Sequence, residues 1–118
     1  MIYTGYFAKL KEYEKNGLIP ISITRFPPKW FEGEQCQDLA PSAELLKKYK
    51  DMYVDEEHFE IHYNEMLSQI DVLKIVEEAA KGRDVVLCCF EKSDDFCHRH
   101  LLAKWLNEKY GMNVQEFK

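Results

Sequence analysis

The sequence lacks the features of a membrane protein, a secreted protein and a non-specific nucleic-acid binder. No segment approaches the roughly 18 uninterrupted apolar residues that a membrane-spanning helix needs. The N-terminal stretch MIYTGYFAKL has neither the basic start nor the apolar run of a secretory signal. Acidic residues exceed basic ones by 21 to 16, whereas proteins that coat DNA or RNA are usually basic. We therefore expect a cytoplasmic protein with no membrane partner and no non-specific coating of nucleic acid.

Cysteine is also scarce, with four residues in a chain of 118. Cys88 and Cys89 are adjacent in a predicted strand and cannot pair with each other, so we expect free thiols in a reducing compartment. A chain of this length buries a sufficient core without disulfides or a structural metal. Its composition, 46% hydrophobic and 31% charged, is that of a soluble globular protein. These features predict one domain over residues 1–118.

Short apolar runs alternate with helical patterns along the chain. The runs are partly β-branched and predict strands at 2–5, 19–24, 84–90 and 113–117. Apolar residues at helical spacing predict helices at 7–16, 41–50 and 64–80, and a last helix that begins near Cys97. This alternation predicts a single three-layer α/β domain with a mostly parallel sheet of about four to five strands and helices on both faces. The continuous apolar run 84–90 belongs at the centre of that sheet.

Two further segments connect these elements. Residues 25–39 contain two prolines and a glycine, and we expect an irregular loop that overhangs the carboxyl edge of the sheet. The acidic, aromatic stretch 52–63 leads into the helix predicted at 64–80.

The stretch 85–106 is the most informative part of the chain. A buried strand ends there in a polar loop, and the loop opens a helix with Cys97, His98 and Arg99. The start of a helix presents unpaired backbone N–H groups and the positive end of the helix dipole. This pattern predicts a pocket for a small anionic or phosphorylated ligand at the carboxyl edge of the sheet, where ligands of parallel α/β folds bind.

Each polar residue at this edge has a candidate role. Cys97 is a candidate nucleophile, because a helix start with neighbouring cationic groups favours the thiolate. His98 is a candidate acid–base group, and Glu91 would orient an arginine or the histidine. Arg25 and Arg99 are candidate anion contacts. No metal and no other cofactor is predicted.

Structural roles are the alternative for the same residues. Cys97 then packs in the apolar stripe of the last helix, and Glu91, His98 and Arg99 form a hydrogen-bonded network that fixes the loop to the helix. Arg25 pairs with Glu91 and holds the loop that follows the second strand. The protein would then be a non-catalytic structural or interaction module. Ser93, Asp94 or Asp95 is expected to cap the helix.

Two other kinds of chemistry fit the sequence less well. A cysteine phosphatase places its cysteine six residues before the arginine, and here that position is Ser93. Zinc-type ligands are present, but none of the cysteines has the usual spacing for a zinc site. These ligands are Cys89, Cys97, His98 and His100.

The chain resembles an uncharacterised family, domain of unknown function 488 (DUF488). The resemblance is carried by an N-terminal tyrosine and glycine strand, an arginine-proline loop and a late cysteine, glutamate and Cys-His-Arg signature. Here these are Tyr3-Thr4-Gly5-Tyr6, Arg25-Phe26-Pro27, Leu39-Ala40-Pro41-Ser42, Leu87-Cys88-Cys89-Phe90-Glu91 and Phe96-Cys97-His98-Arg99. The family often has an aspartate before the loop arginine, where this chain has Thr24. The resemblance implies a compact α/β fold and brings no established activity with it.

Overall fold

A parallel sheet forms the centre of the computed structural model, which describes residues 1–92 and 95–118. Five strands are found in these residues, and their order across the sheet is β3-β2-β4-β1-β5. Every pair of neighbouring strands is parallel. The strands are β1 (Ile2–Tyr6), β2 (Ile19–Ser22), β3 (Glu34–Gln35), β4 (Val85–Cys89) and β5 (Gln115–Glu116).

Helices connect the strands, and side chains of the preceding residues cap three of them. Ser42, Asp55 and Asp71 accept hydrogen bonds from backbone N–H groups in the first turns of α2, α3 and α4. The helices are α1 (Leu10–Lys15), α2 (Ala43–Lys50), α3 (Glu56–Ser68), α4 (Val72–Ala80) and α5 (His98–Tyr110). Short 3₁₀ turns at Phe7–Lys9 and Gln37–Leu39 precede α1 and α2. Within the described residues, no helix combines the length and apolar character needed to cross a membrane.

The two faces of the sheet carry separate hydrophobic clusters. Cys89 packs with residues of α3, α4 and α5 on one face, and Cys88 packs with Phe7 and Tyr13 on the other. Successive side chains of a strand point to opposite faces, which is why these adjacent cysteines are separated. All five residues of β4 are buried. The predicted three-layer fold, with helices on both faces and the run 84–90 at the centre, is therefore confirmed.

The structure differs from the predicted elements in three segments. The helix predicted at 64–80 is two helices, because the chain leaves the helical path after Ser68 and Asp71 caps a new one. Much of the acidic stretch 52–63 is itself helical, because Asp55 caps α3. The loop predicted at 25–39 contains the short edge strand β3, whose exposed residues give no apolar signal.

The carboxyl ends of the parallel strands bring the polar residues of three segments together. The residues after β2 and β4 lie at this edge, and α5 begins beside them. Ligands of parallel α/β folds bind at this edge, so the polar residues here are the candidate functional residues.

Candidate functional site

Cys89, Cys97 and His98 form a buried cluster at the carboxyl edge. Cys89 is the last residue of β4, Cys97 is the N-cap residue of α5, and His98 is the first residue of that helix. One ligand-type atom from each, two Sγ and one ring nitrogen, lies within 4.8 Å of the others. We refer to these three residues as the thiol–imidazole cluster.

The backbone carbonyl that follows β2 fixes the orientation of His98. Its Nε2 lies 2.7 Å from the carbonyl oxygen of Ile23. A carbonyl oxygen only accepts hydrogen bonds, so Nε2 carries a hydrogen and donates it. Nδ1 lies 3.9 Å from Sγ of Cys97, whereas the ring nitrogen nearest to Sγ of Cys89 is Nε2, at 3.3 Å. The ring is held edge-on against Tyr63, with the ring centroids 5.6 Å apart, so the imidazole has little freedom to turn.

The surroundings of Cys97 favour its thiolate. The hydrogen bond with Cys89 holds the pKa of Cys97 well below its usual range, and His98 lowers it further, although burial opposes both effects. The pKa of Cys89 is raised, first by burial and then by its hydrogen bond with Cys97. Of the two thiols, Cys97 is therefore the one whose ionisation the surroundings favour, and burial disfavours ionisation of Cys89.

Glu91 lies beside Cys97 at the outer side of this cluster. It is an exposed residue overall, yet its carboxyl group is sufficiently covered that burial raises its pKa. The charge of Cys97 and a hydrogen bond with that residue raise it further. Glu91 is thus placed to exchange a proton with whatever reacts at Cys97.

Arg99 has a different partner from the one expected from the sequence. Its side chain is fully buried, and Nε and Nη2 donate to the two carboxylate oxygens of Glu116 at 3.1 and 2.9 Å. Thr4 donates to the same carboxylate at 2.7 Å. Among the described residues, Nη1 of Arg99 has no hydrogen-bond partner. Arg99 therefore ties α5 to β1 and β5, and Glu91 takes no part in this ion pair.

Arg25 holds the loop that leads into α2. Its Nε donates to the carbonyl of Pro41 at 3.2 Å, and Nη2 donates to Ala40 and Gln37 at 3.3 and 3.4 Å. In the part of the chain that the structure describes, no ion pair joins Arg25 to Glu91, and no hydrogen bond joins it to the thiol–imidazole cluster. The expected ion pair is replaced because three loop carbonyls surround the guanidinium group.

The start of α5 also differs from the prediction. The N-cap position is occupied by Cys97, whose side chain makes no capping hydrogen bond. Asp95 lies two residues too early to take this position and is exposed. The other two predicted caps, Ser93 and Asp94, lie outside the described residues.

Comparison with known families covers most of the chain. Residues 6–110 match the family model DUF488-N3a, described as the active DUF488-N3 subclade. The chain belongs to the DUF488 family. No curated protein and no solved structure shows significant similarity to it.

The match includes most of the candidate site of this DUF488 chain. Glu91 and the thiol–imidazole cluster all lie within residues 6–110, and so does Arg99. Glu116, the partner of Arg99, lies beyond the matched residues. The expected resemblance to DUF488 is confirmed by this match.

Sequence reasoning missed two parts of this site. The sequence marks Cys89 only as a zinc-type ligand, and its position beside Cys97 at the end of β4 depends on the fold. The carbonyl of Ile23 gives no sequence signal, because any residue supplies the same group.

The two thiols and the imidazole are also ligand types that zinc binds. The cysteine spacing in the sequence gives no sign of this cluster, because the fold brings Cys89 and Cys97 together from different elements.

Proposed function

We propose that this DUF488 protein is an enzyme that uses Cys97 as a nucleophile on a small-molecule substrate at the carboxyl edge of the sheet. The observation that carries the proposal is the convergence of the Cys89 thiol and the His98 imidazole on one sulfur atom at the start of a helix. Catalytic cysteines require such a stabilised thiolate. The description of the matched subclade as active agrees with a catalytic role.

The chemistry that fits this arrangement is nucleophilic substitution through a covalent intermediate. The Cys97 thiolate forms a bond to an electrophilic centre of the substrate while the bond to the leaving group breaks. Glu91, whose raised pKa favours its protonated form, gives its proton to the leaving group. A water molecule then cleaves the intermediate, giving one proton back to Glu91 and restoring the thiolate. His98 holds the thiolate in place and offers Nδ1 as a second acid–base group.

The expected anion contacts have a smaller part in this proposal. Most donors of Arg25 and Arg99 are engaged by loop carbonyls and by Glu116. The anion that this edge stabilises is then the thiolate of Cys97 itself. Binding of a small anionic or phosphorylated ligand stays a prediction.

Alkylation of the reduced native protein by iodoacetamide tests the nucleophile. We expect Cys97 to react at nearly the same rate from about pH 5 to about pH 9, because its thiolate persists in acid, whereas an ordinary thiol loses reactivity below about pH 8.5. Mass spectrometry of the digested protein identifies the modified residue. Cys97→Ser should abolish the acid-stable reaction.

Cys88→Ser is the matched control, because Cys88 lies on the opposite face of the sheet and burial raises its pKa to about 12. This variant should leave the reaction of Cys97 unchanged. Two results would contradict the proposal. One is an ordinary thiol profile at Cys97, and the other is a Cys97 that no small electrophile reaches in the native protein.

A non-catalytic module is the second candidate, and the buried ion pair of Arg99 with Glu116 favours it. A fully buried arginine that bridges a helix and two strands is typical of a structural network. This candidate requires no stabilised thiolate. In the same alkylation experiment, it therefore predicts that Cys97 reacts with the pH profile of an ordinary thiol or does not react at all.

A further inference from the structure

We infer that Cys89 and Cys97 form a reversible disulfide, and that this bond switches off the nucleophile. The bond itself follows from the placement of the two thiols. The switching rests on the proposed function, because it matters only if Cys97 is catalytic. Nothing in the sequence spacing of these cysteines indicates a pair.

The fold holds the two sulfur atoms together from different elements. Cys89 ends the central strand β4, and Cys97 begins α5, so neither belongs to a flexible terminus. Their Sγ atoms lie within 4.8 Å of each other, and a disulfide bond is about 2.05 Å long. The two cysteine side chains must therefore move closer together before the bond can form. The other two cysteines are placed differently, since Cys88 faces the opposite side of the sheet and Cys36 lies in the loop before α2.

The two thiols also differ in the way that disulfide formation requires. A sensor cysteine reacts as a thiolate, and a neighbouring thiol then resolves the oxidised product. Cys97 has the lowered pKa of the first type, and Cys89 remains a protonated thiol. Cys97 is only 4% exposed, so the oxidant must be small.

Hydrogen peroxide is an oxidant of this kind, and two steps complete the reaction. In the first, the Cys97 thiolate attacks one peroxide oxygen, the O–O bond breaks, and hydroxide leaves as Cys97 becomes a sulfenic acid. In the second, the sulfur of Cys89 attacks the sulfur of Cys97, and the hydroxyl group leaves with the Cys89 proton as water. The two sulfurs together lose two electrons, which the peroxide takes. A small thiol reductant reverses the change.

Peptide mapping of the full-length protein tests the inference without any variant. The reduced protein is treated with hydrogen peroxide, denatured in acid, alkylated and digested. We expect a peptide that links Cys89 to Cys97, a loss of two hydrogen atoms from the intact mass, and full alkylation of Cys36 and Cys88. The oxidised protein should lose the acid-stable reaction with iodoacetamide, and dithiothreitol should restore it.

Two variants sharpen the assignment. Cys89→Ser should stop at the sulfenic acid of Cys97, which dimedone traps, because the resolving thiol is gone. Cys88→Ser, the matched control, should form the disulfide as the native protein does. The inference is overturned if Cys97 pairs with Cys36, if it oxidises to sulfinic acid while Cys89 stays free, or if neither thiol is oxidised.

The outcomes separate this inference from the proposed function. An acid-stable reaction at Cys97 without a disulfide overturns the inference and leaves the nucleophile standing. If the disulfide forms but the alkylation of reduced Cys97 has an ordinary pH profile, the inferred bond stands. The inferred switch and the proposed enzyme are then both contradicted.

Discussion

Arg99 is the largest side chain that the fold buries completely, and its charge is balanced by Glu116 rather than by solvent. An arginine in this position makes its two bonds to the carboxylate in a geometry that no lysine reproduces. Such a pair adds little stability compared with a well-packed apolar pair, yet it is costly to break. The residue therefore belongs to the architecture of the site even if no ligand contacts it.

We expect Arg99→Ala to lower the free energy of unfolding by about 3–5 kcal/mol, because Glu116 would lose both guanidinium bonds in a buried place. Urea denaturation measures the change. Arg83→Ala is a matched control, since Arg83 also makes two hydrogen bonds to one carboxylate, that of Glu34, but at the surface. Water screens that pair, so its loss should be much smaller. Equal losses in the two variants would show that burial does not strengthen the role of Arg99.

At the scale of the elements, β1 packs closely against β4 and α1. Gly5 lies in this strand opposite Cys88 of β4. A Cβ atom at Gly5 would lie 2.9 Å from Cγ1 of Val86 and would overlap the hydroxyl group of Tyr13. That hydroxyl group donates to the carbonyl of Tyr6 and accepts from its N–H group, which holds α1 against the end of β1. The glycine is therefore needed for space.

Gly5→Ala should lower the free energy of unfolding by about 1–3 kcal/mol, because the added methyl group overpacks this contact. The same urea titration measures the loss. Gln115→Ala, in the exposed part of β5, is the control and should stay within about 0.5 kcal/mol of the native protein. If Gly5→Ala left the free energy of unfolding unchanged, Tyr13 would be able to move away from β1 without loss of stability.

The elements that build the site could be predicted from the sequence, whereas their partners could not. The apolar run of β4 and the helical stripe after Cys97 are local patterns, and a local pattern is enough to locate a buried strand and a helix. The break between α3 and α4 is harder, because apolar residues continue across it at helical spacing and only the cap at Asp71 marks it. The exposed strand β3 has no apolar pattern at all.

Pairing between distant residues explains the errors at the site itself. The sequence places Glu91 on the same predicted edge as Arg99, but the fold supplies Glu116 from another strand. Arg25 was expected to meet Glu91, but the loop folds three carbonyl groups around it. A sequence reports the type of a charged residue, and only the chain path decides which opposite group reaches it.

For the molecule as a whole, the absence of a bound metal remains a prediction. A structural zinc site uses four protein ligands, whereas a catalytic one uses three and keeps an open position. The thiol–imidazole cluster gathers three ligands in the described residues, but the proposed function needs Cys97 as a free nucleophile. We therefore expect protein purified without added metal to contain much less than one equivalent of zinc. Elemental analysis after dialysis measures this. Stoichiometric zinc that survives dialysis would make Cys97 a ligand instead of a nucleophile.

The strand order also determines when during synthesis the sheet can be completed. β1 precedes the other strands of the described residues along the chain, yet its neighbours in the sheet are the last two of them, β4 and β5. The hydrogen-bonding groups of β1 therefore stay unpaired in the sheet until β4 and β5 have left the ribosome. Contacts that join such distant segments close large loops, which slows folding. The native sheet, and the carboxyl edge that carries Cys97, is therefore assembled only after β5 has left the ribosome.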